Sequence, residues 1–355
     1  MSKNIKGISI IICCYNSAAR LHKTLQAVAK QQCDPNLSRE VILVDNASTD
    51  NTSVAAAEIW QELETSSDIK IIYEPVAGLG NARIRGVKEA AYSFVLFCDD
   101  DNWLTENYVQ GVFDMLDGDE TIAACGGMGV PVFETAEPFW FYAYAEAFAL
   151  GSQEINSENG QMLNLYGAGL AVRKQVYEQL FQEGFDPLLK DRIGKKLSSS
   201  GDTELTYAFV LLGYKLACSD ELKFYHYLPK ERLTFDYLKK LFIAFGKDGP
   251  VRNLYYAYIS HRFFHRHIKN WNFHLLLSIV RLIKYSCVPP KKYGRGIYFH
   301  WNMAYIKQLL DMRKSYPGMK VHISKITEGN YHALQNTGTK KHLSVETNGL
   351  SQLSK

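Results

Sequence analysis

The stretch FVLFCDDDNWL, Phe94 to Leu104, sets three carboxylates directly after a run of apolar residues. Like charges at that spacing repel and raise one another's pKa, so a fold tolerates them best around a cation. Mg2+ and Mn2+ prefer oxygen ligands and are commonly held by one or two carboxylates plus substrate phosphates. If the strand continues through the cluster, Asp99 and Asp101 point to the same side. One can then meet the metal, while the other binds it too or takes a sugar hydroxyl. A polar loop with a helix-capping aspartate is the bland alternative.

Other segments carry groups of matching chemistry. In VDNASTDNT, Asp45 ends an apolar run and can accept a hydrogen bond from a base N–H or a ribose hydroxyl, whereas Ser48, Thr49 and Asp50 read as a turn and helix N-cap. In EPVAGLGNARIRG, Arg83 falls in the first turn of a helix. A helix N-terminus with a guanidinium suits a diphosphate or a base carbonyl. In SSSGDTEL, Asp202 opens a helix and could remove a proton from a hydroxyl; the alternative is an N-cap, with Glu204 in the favourable first turn. FYHYLPKERL offers His226, as a metal ligand, a diphosphate contact or a satisfied half-buried ring, and Arg232 as a phosphate contact. EPFWFYAYAEAF offers Trp140 as a stacking platform for an acceptor sugar, with packing of a helix on a sheet as the rival.

The elements that must position these groups alternate. GISIIICCYN, EVILVDNAS, IKIIYEP, SFVLFCDDD and TIAACGGMGV read as buried strands. Helix patterns stand between them, the first with Ser17 as its expected N-cap. This order predicts an α/β fold, a Rossmann-like, mostly parallel sheet with helices on both faces. Ligands then bind outside the strand carboxyl ends, where Asn16, Asp45, Glu74 and Asp99 to Asp101 all fall. The expected organisation is a nucleotide-binding and catalytic domain over 1–230, a basic helical region over 231–320, and a weakly ordered tail over 321–355.

Composition narrows the class. The 355 residues are 46% apolar and 22% charged, as in a soluble globular protein. Seven cysteines, odd in number and without a CxxC pair, predict reduced packed thiols. No apolar run reaches the length of a membrane span, and the N-terminus shows no signal-peptide core, so the expected location is the cytoplasm. The net charge of +3 is uneven: residues 223–320 hold 19 Lys+Arg against 4 Asp+Glu, and residues 1–222 hold 17 against 31. The segment WNFHLLLSIVRLIKYSCVPPKKYGRG, with Arg281, Lys284, Lys291 and Lys292, is amphipathic and cationic. It could lie on an anionic surface, the inner face of the cell membrane, or dock on the catalytic domain. A nicotinamide-dependent oxidoreductase expects glycines after the first strand, yet none occurs between Gly7 and Gly78. No nucleic-acid partner is expected.

CCYNSAARL, VDNASTDNT, GLGNARIRG, FCDDDNWL, GAGLAVRK and SGDTEL together resemble, in order and spacing, the family 2 glycosyltransferases of the GT-A fold. The likeness covers residues 8 to about 235. It implies an inverting transfer from a nucleotide-sugar, with UDP the expected nucleotide and Mn2+ or Mg2+ the cofactor. By this likeness Tyr15 would stack on the base, Asp45 would hydrogen-bond it, and Arg83 would contact the base or diphosphate. Asp99 and Asp101 would be the metal pair, with Asp100 the variable middle residue of the donor site, and Asp202 the base. Gly201 stands where the family usually has an acidic residue, which leaves Glu204 as a competitor for the base. The implied acceptor is a glycan or lipid-linked sugar. A nucleotidyltransferase and a non-catalytic carbohydrate-binding protein are the other readings of the same fold.

Overall fold

The apolar run at the N-terminus becomes β1 (Ile5–Cys14), whose side chains alternate between two cores. Ile8, Ile10, Ile12 and Cys14 enter one core with Leu21, Leu25 and Trp60; Ile11 and Cys13 enter the other with Ala82, Val87 and Phe97. A sheet with both faces covered requires this near-continuous hydrophobicity. The computed structural model describes residues 5–336 other than 66, 155–156, 159–160, 190, 193–196, 198–199, 261–265 and 288–294.

After β1 come α1 (Leu21–Ala29), β2 (Arg39–Asn46), α2 (Thr52–Glu62), β3 (Ile69–Glu74), α3 (Leu79–Glu89), β4 (Tyr92–Asp99), β5 (Asn102–Leu104), α4 (Tyr108–Gly118) and β6 (Ile122–Phe133). A 3-10 helix (Phe141–Phe148) and a small ladder of β7 (Ser157–Glu158) and β8 (Gln161–Met162) lead to β9 (Ala171–Arg173), α5 (Lys174–Gln182), α6 (Gly201–Leu211) and β10 (Lys215–Leu228). The main sheet runs β3-β2-β1-β4-β9-β6-β10-β5. β2 and β4 flank β1 in parallel, so the chain reverses its direction of winding there. A cleft at that switch point is the expected ligand site.

Some local expectations need correcting. Ser17 is not the N-cap of α1; Arg20 is, and the Ser17 hydroxyl turns to the Asp100 carboxylate instead. The strand after α6 runs for 14 residues because it pairs with β6 along its length and with β5 near its end.

A second 3-10 turn (Lys230–Leu233) leads to α7 (Phe235–Ile259), α8 (Trp271–Cys287), α9 (Arg295–Asp311) and α10 (Tyr316–Asn336). These helices share the protein's core. Tyr255, Tyr305, Leu309, Met312 and Tyr316 join the same apolar cluster as Leu205 and Phe209 of α6. The tail expected to be weakly ordered from 321 continues instead as α10, because Ile323 and Ile326 are buried in that cluster. Residues 337–355 of that tail, and Lys291 and Lys292, lie outside the described residues. Among the described residues no helix is long and apolar enough to cross a membrane. α8 does expose Leu276, Ile279, Val280 and Ile283, one stripe at helical spacing beside Lys284.

Candidate active site

A cleft of about 670 Å3 opens at the carboxyl ends of β1 and β4, between the starts of α3 and α6. The loop after β1 is pinned by Asn16, whose amide N–H donates to the Ser48 hydroxyl while its side-chain oxygen accepts from Thr49 N–H. Tyr15 therefore stands at the rim with its ring 41% exposed, free to stack on a planar ligand.

β4 ends at Asp99, and Asp100 and Asp101 form the turn to β5 instead of continuing the strand, so each member of the cluster meets a different partner. Asp99 lines the cleft and accepts a long hydrogen bond of 3.4 Å from Asn102. Asp100 is buried and paired with Arg20 at 2.6 Å, besides the Ser17 hydroxyl. Asp101 is paired with Arg232 at 3.0 Å and faces His226 Nε2 at 3.7 Å. Burial pushes Asp99 and Asp100 above the ordinary carboxylate range, against the pull of Arg83 on the first and Arg20 on the second. Burial would raise Asp101 as well, but His226 and Arg232 reverse it and hold that carboxyl well below the usual range.

His226 has a defined orientation. Its Nδ1 lies 2.9 Å from the Phe148 carbonyl oxygen, which can only accept, so the ring proton sits on Nδ1. In the neutral ring the lone pair of Nε2 then accepts from Arg232 at 3.2 Å, whereas in the imidazolium form, the one that lowers Asp101, Nε2–H faces that carboxylate. A backbone carbonyl holding one ring nitrogen while the other faces carboxylates is the usual setting of a metal-binding imidazole. Asp99, Asp101 and His226 thus form a donor set suited to Mn2+ or Mg2+. Among the described residues, however, no three such groups stand close enough together to hold a metal ion by themselves.

Arg83 reaches the cleft from α3 and is 5% exposed. One terminal nitrogen lies 3.5 Å from Asp191, the guanidinium covers the Phe97 ring, and Nε has no partner. Its donors outnumber its acceptors, which leaves capacity for an anion. Burial opposes its charge, but Asp191, Asp99 and Asp202 outweigh it and raise the pKa further.

Asp202 lies in the first turn of α6 and lines the same cleft. Its two oxygens accept from the backbone N–H groups of Gly167 and Thr203, each at 2.7 Å. Burial, then the charge of Asp191, raise its pKa to about 6 against the pull of Arg83 and those two N–H groups. Gly167 is required beside it: a Cβ there would stand 2.5 Å from an Arg83 nitrogen and 3.0 Å from an Asp202 oxygen.

Several expected residues are placed elsewhere. Glu204 points away from the cleft; fully buried, it accepts from Leu188 N–H, Leu189 N–H and the Tyr255 hydroxyl, and burial raises it to about 7. Asp45 does not line the cleft: its oxygens take Ser48 N–H and the Ser53 hydroxyl, and a base contact would require it to exchange one of them. Trp140, expected as the acceptor platform, is 5% exposed and packs against Phe141 and Phe235. Tyr142, two residues on and 64% exposed, lines the cleft from that segment together with the buried Tyr144 and Phe148. Missed in the sequence were Arg20, Asn46, Asp191 and Arg192, all lining the cleft. Asn46 bridges β3 to α3 by donating to the Glu74 and Val76 carbonyls and accepting from Gly78 N–H.

Comparison with known proteins agrees with this architecture. The family model described as Glycosyl transferase family 2 matches residues 9–181. A poly-beta-1,6-N-acetyl-D-glucosamine synthase of Staphylococcus epidermidis is 30% identical over 106 residues, 30% of this chain and 24% of that protein. The protein of the same name from Staphylococcus aureus is 25% identical over 124 residues, 35% of this chain and 28% of its own length. The matches thus span about a quarter of the length of these relatives. Among solved structures, a mannosyltransferase from Pyrobaculum calidifontis in complex with GDP-Man and Mn2+ superposes with a TM-score of 0.52 at 17% identity, covering 96% of this chain and 89% of that one, a likeness of fold. Residues 9–181 are a glycosyl transferase family 2 domain, carried on the GT-A fold.

Proposed function

We propose that this chain transfers a sugar from a nucleoside-diphosphate donor to a hydroxyl of a glycan or lipid-linked acceptor, by a single displacement that inverts the anomeric carbon. The observation that carries the reading is a carboxylate raised to about 6, Asp202, held in one cleft with the Asp99–Asp101–His226 donor set and the Arg83 guanidinium. Asp202 accepts the proton of the acceptor hydroxyl, and a base near the working pH does so most effectively. Arg83, Arg192 and Arg232 bind and orient the diphosphate, and Tyr15 covers the base. Asp99, Asp101 and His226 Nε2 would hold Mn2+ or Mg2+, whose chemistry there is to neutralise the leaving diphosphate. The relatives' name makes N-acetylglucosamine the first sugar to try, carried on UDP as the motif resemblance implies. A nucleotidyltransferase has no evident use for a carboxylate at the position of Asp202.

The same reading puts α8 against an anionic membrane surface on the cytoplasmic side. The exposed stripe Leu276, Ile279, Val280 and Ile283 and the cationic balance of residues 223–320 support it.

Purified protein, incubated with a panel of nucleotide-sugars and either Mn2+, Mg2+ or EDTA, tests the function. Metal-dependent release of nucleoside diphosphate from at least one sugar is expected. No release and no thermal shift with any donor would reject it.

A further inference from the structure

The cleft does not end at Asp202. Beyond it the wall is aromatic, from the first 3-10 helix and the C-terminal helices: Phe242 of α7 packs edge-on against Tyr144, Phe245 and Tyr298 of α9, with the exposed Tyr142 beside them. Ser200, just before Asp202, donates from its hydroxyl to Asp248 of α7 at 2.9 Å, which joins this lobe directly to the base. Aromatic faces are the side chains that pack against sugar C–H surfaces, and a few polar groups among them fix orientation.

One polar group here is unlike the others. The cleft arginines each have an electrostatic counterpart: Arg20 has Asp100, Arg83 has Asp191, Arg232 has Asp101, and the charge of Arg192 acts on Asp99 and Asp101. Arg252 of α7 lines the aromatic lobe half-buried and makes no hydrogen bond or ion pair with a described residue. Glu146, on the 3-10 helix, also lines the lobe; its charge is felt by the Tyr166 phenol, and it forms no ion pair with Arg252. A half-buried guanidinium has five donors, and Asp248, one turn before Arg252 on α7, already takes the Ser200 hydroxyl, so the Arg252 donors are left to meet an anion from outside the chain.

We infer that this lobe is the acceptor subsite and that it takes an anionic glycan, its sugar rings against Tyr142, Phe242, Phe245 and Tyr298 and its phosphate or carboxylate on Arg252. The inference rests on the proposed transferase reading for the word acceptor, but the binding itself does not need turnover. α7 and α9 would then select the acceptor, while the sheet selects the donor.

The test is binding to the full chain in the presence of UDP and Mn2+, by calorimetry. Three probes are compared: a neutral chitin tetrasaccharide, a hyaluronan tetrasaccharide bearing uronates, and N-acetylglucosamine 6-phosphate against N-acetylglucosamine. A charge-assisted contact predicts that at least one anionic probe binds on the order of tenfold to a hundredfold tighter than its neutral counterpart, less so at 0.5 M salt. The phosphate and uronate arms show which anion fits. Arg252→Gln should erase that preference and Arg252→Lys should keep part of it, with unchanged circular dichroism showing that both fold. Equal affinity for neutral and anionic probes, or a preference that survives in Arg252→Gln, overturns the inference. Failure of donor turnover in the wild-type chain would reject the transferase reading and leave the binding result standing.

Discussion

Replacing Asp202 by Asn separates its chemical role from its structural one, because the two leave opposite marks. The carboxyl is raised from 3.8 to about 6, so at pH 8 its ionised form costs the fold about 3 kcal/mol, at 1.36 kcal/mol per pH unit. The sign follows from proton binding: the folded state holds this proton more tightly than the unfolded chain, so the cost is absent below about 3.8 and complete above about 6. Asn removes that cost. It also puts an amide N–H2 where one oxygen accepts from Gly167 or Thr203, which costs about 1–3 kcal/mol at every pH. The variant should therefore be less stable than wild type at pH 4 and equal to it or more stable at pH 8, the difference moving by about 2 kcal/mol between the two. Transfer should meanwhile fall by on the order of 10²–10⁴-fold, the usual worth of a positioned base. Urea denaturation at both pH values and initial rates of nucleotide release with acceptor present give the two readouts. A transfer rate within a few-fold of wild type would refute the base assignment, and a stability difference that does not change with pH would refute the raised pKa.

In the wild type, transfer should decline as pH drops through about 6, when Asp202 gains its proton, and a flat rate from pH 5 to 8 would contradict this. Asp101→Ala should weaken Mn2+-dependent UDP binding by on the order of a hundredfold in calorimetry, since even outer-shell losses cost up to about that much; unchanged affinity would remove Asp101 from the ligand set. Glu204→Gln leaves an amide facing two backbone N–H donors and should lower the unfolding free energy measured in urea by about 1–3 kcal/mol while turnover per folded molecule stays within a few-fold, the reverse of the Asp202 result. Vesicles of phosphatidylglycerol should co-sediment the protein, and Ile279→Ser with Ile283→Ser should reduce this at least about tenfold; binding that the double variant leaves intact would clear α8 of any membrane role.

What the sequence disclosed follows from what its local patterns encode. The strands of the sheet were legible because burial on both faces demands long apolar runs, as in β1 and β4. The aspartate cluster was legible because a strand end in such a sheet has one destination. Contacts between distant residues left no comparable trace. Arg20 meets Asp100 across 80 positions, and Glu204 meets Tyr255 across 51. No spacing rule links those pairs, so Glu204 could compete with Asp202 until the fold turned it inward. Trp140 and Tyr142 have the same aromatic signature, and which of them faces solvent depends on how the 3-10 helix meets α7. Among the described residues of α10 the buried apolar anchors are Tyr316, Ile323 and Ile326, too widely spaced to announce a helix in a polar stretch.

The hydrogen bond from Tyr255 to Glu204 has a consequence for how this protein could change. It runs from α7 to the helix that carries Asp202, inside the main core. Cutting the chain after β10 would strand a buried carboxylate and open one side of that helix to water. The half that reads the incoming glycan is therefore not a cassette to be exchanged among relatives. New preferences would have to arise by single replacements along the walls of α7 and α9, with the two halves inherited together.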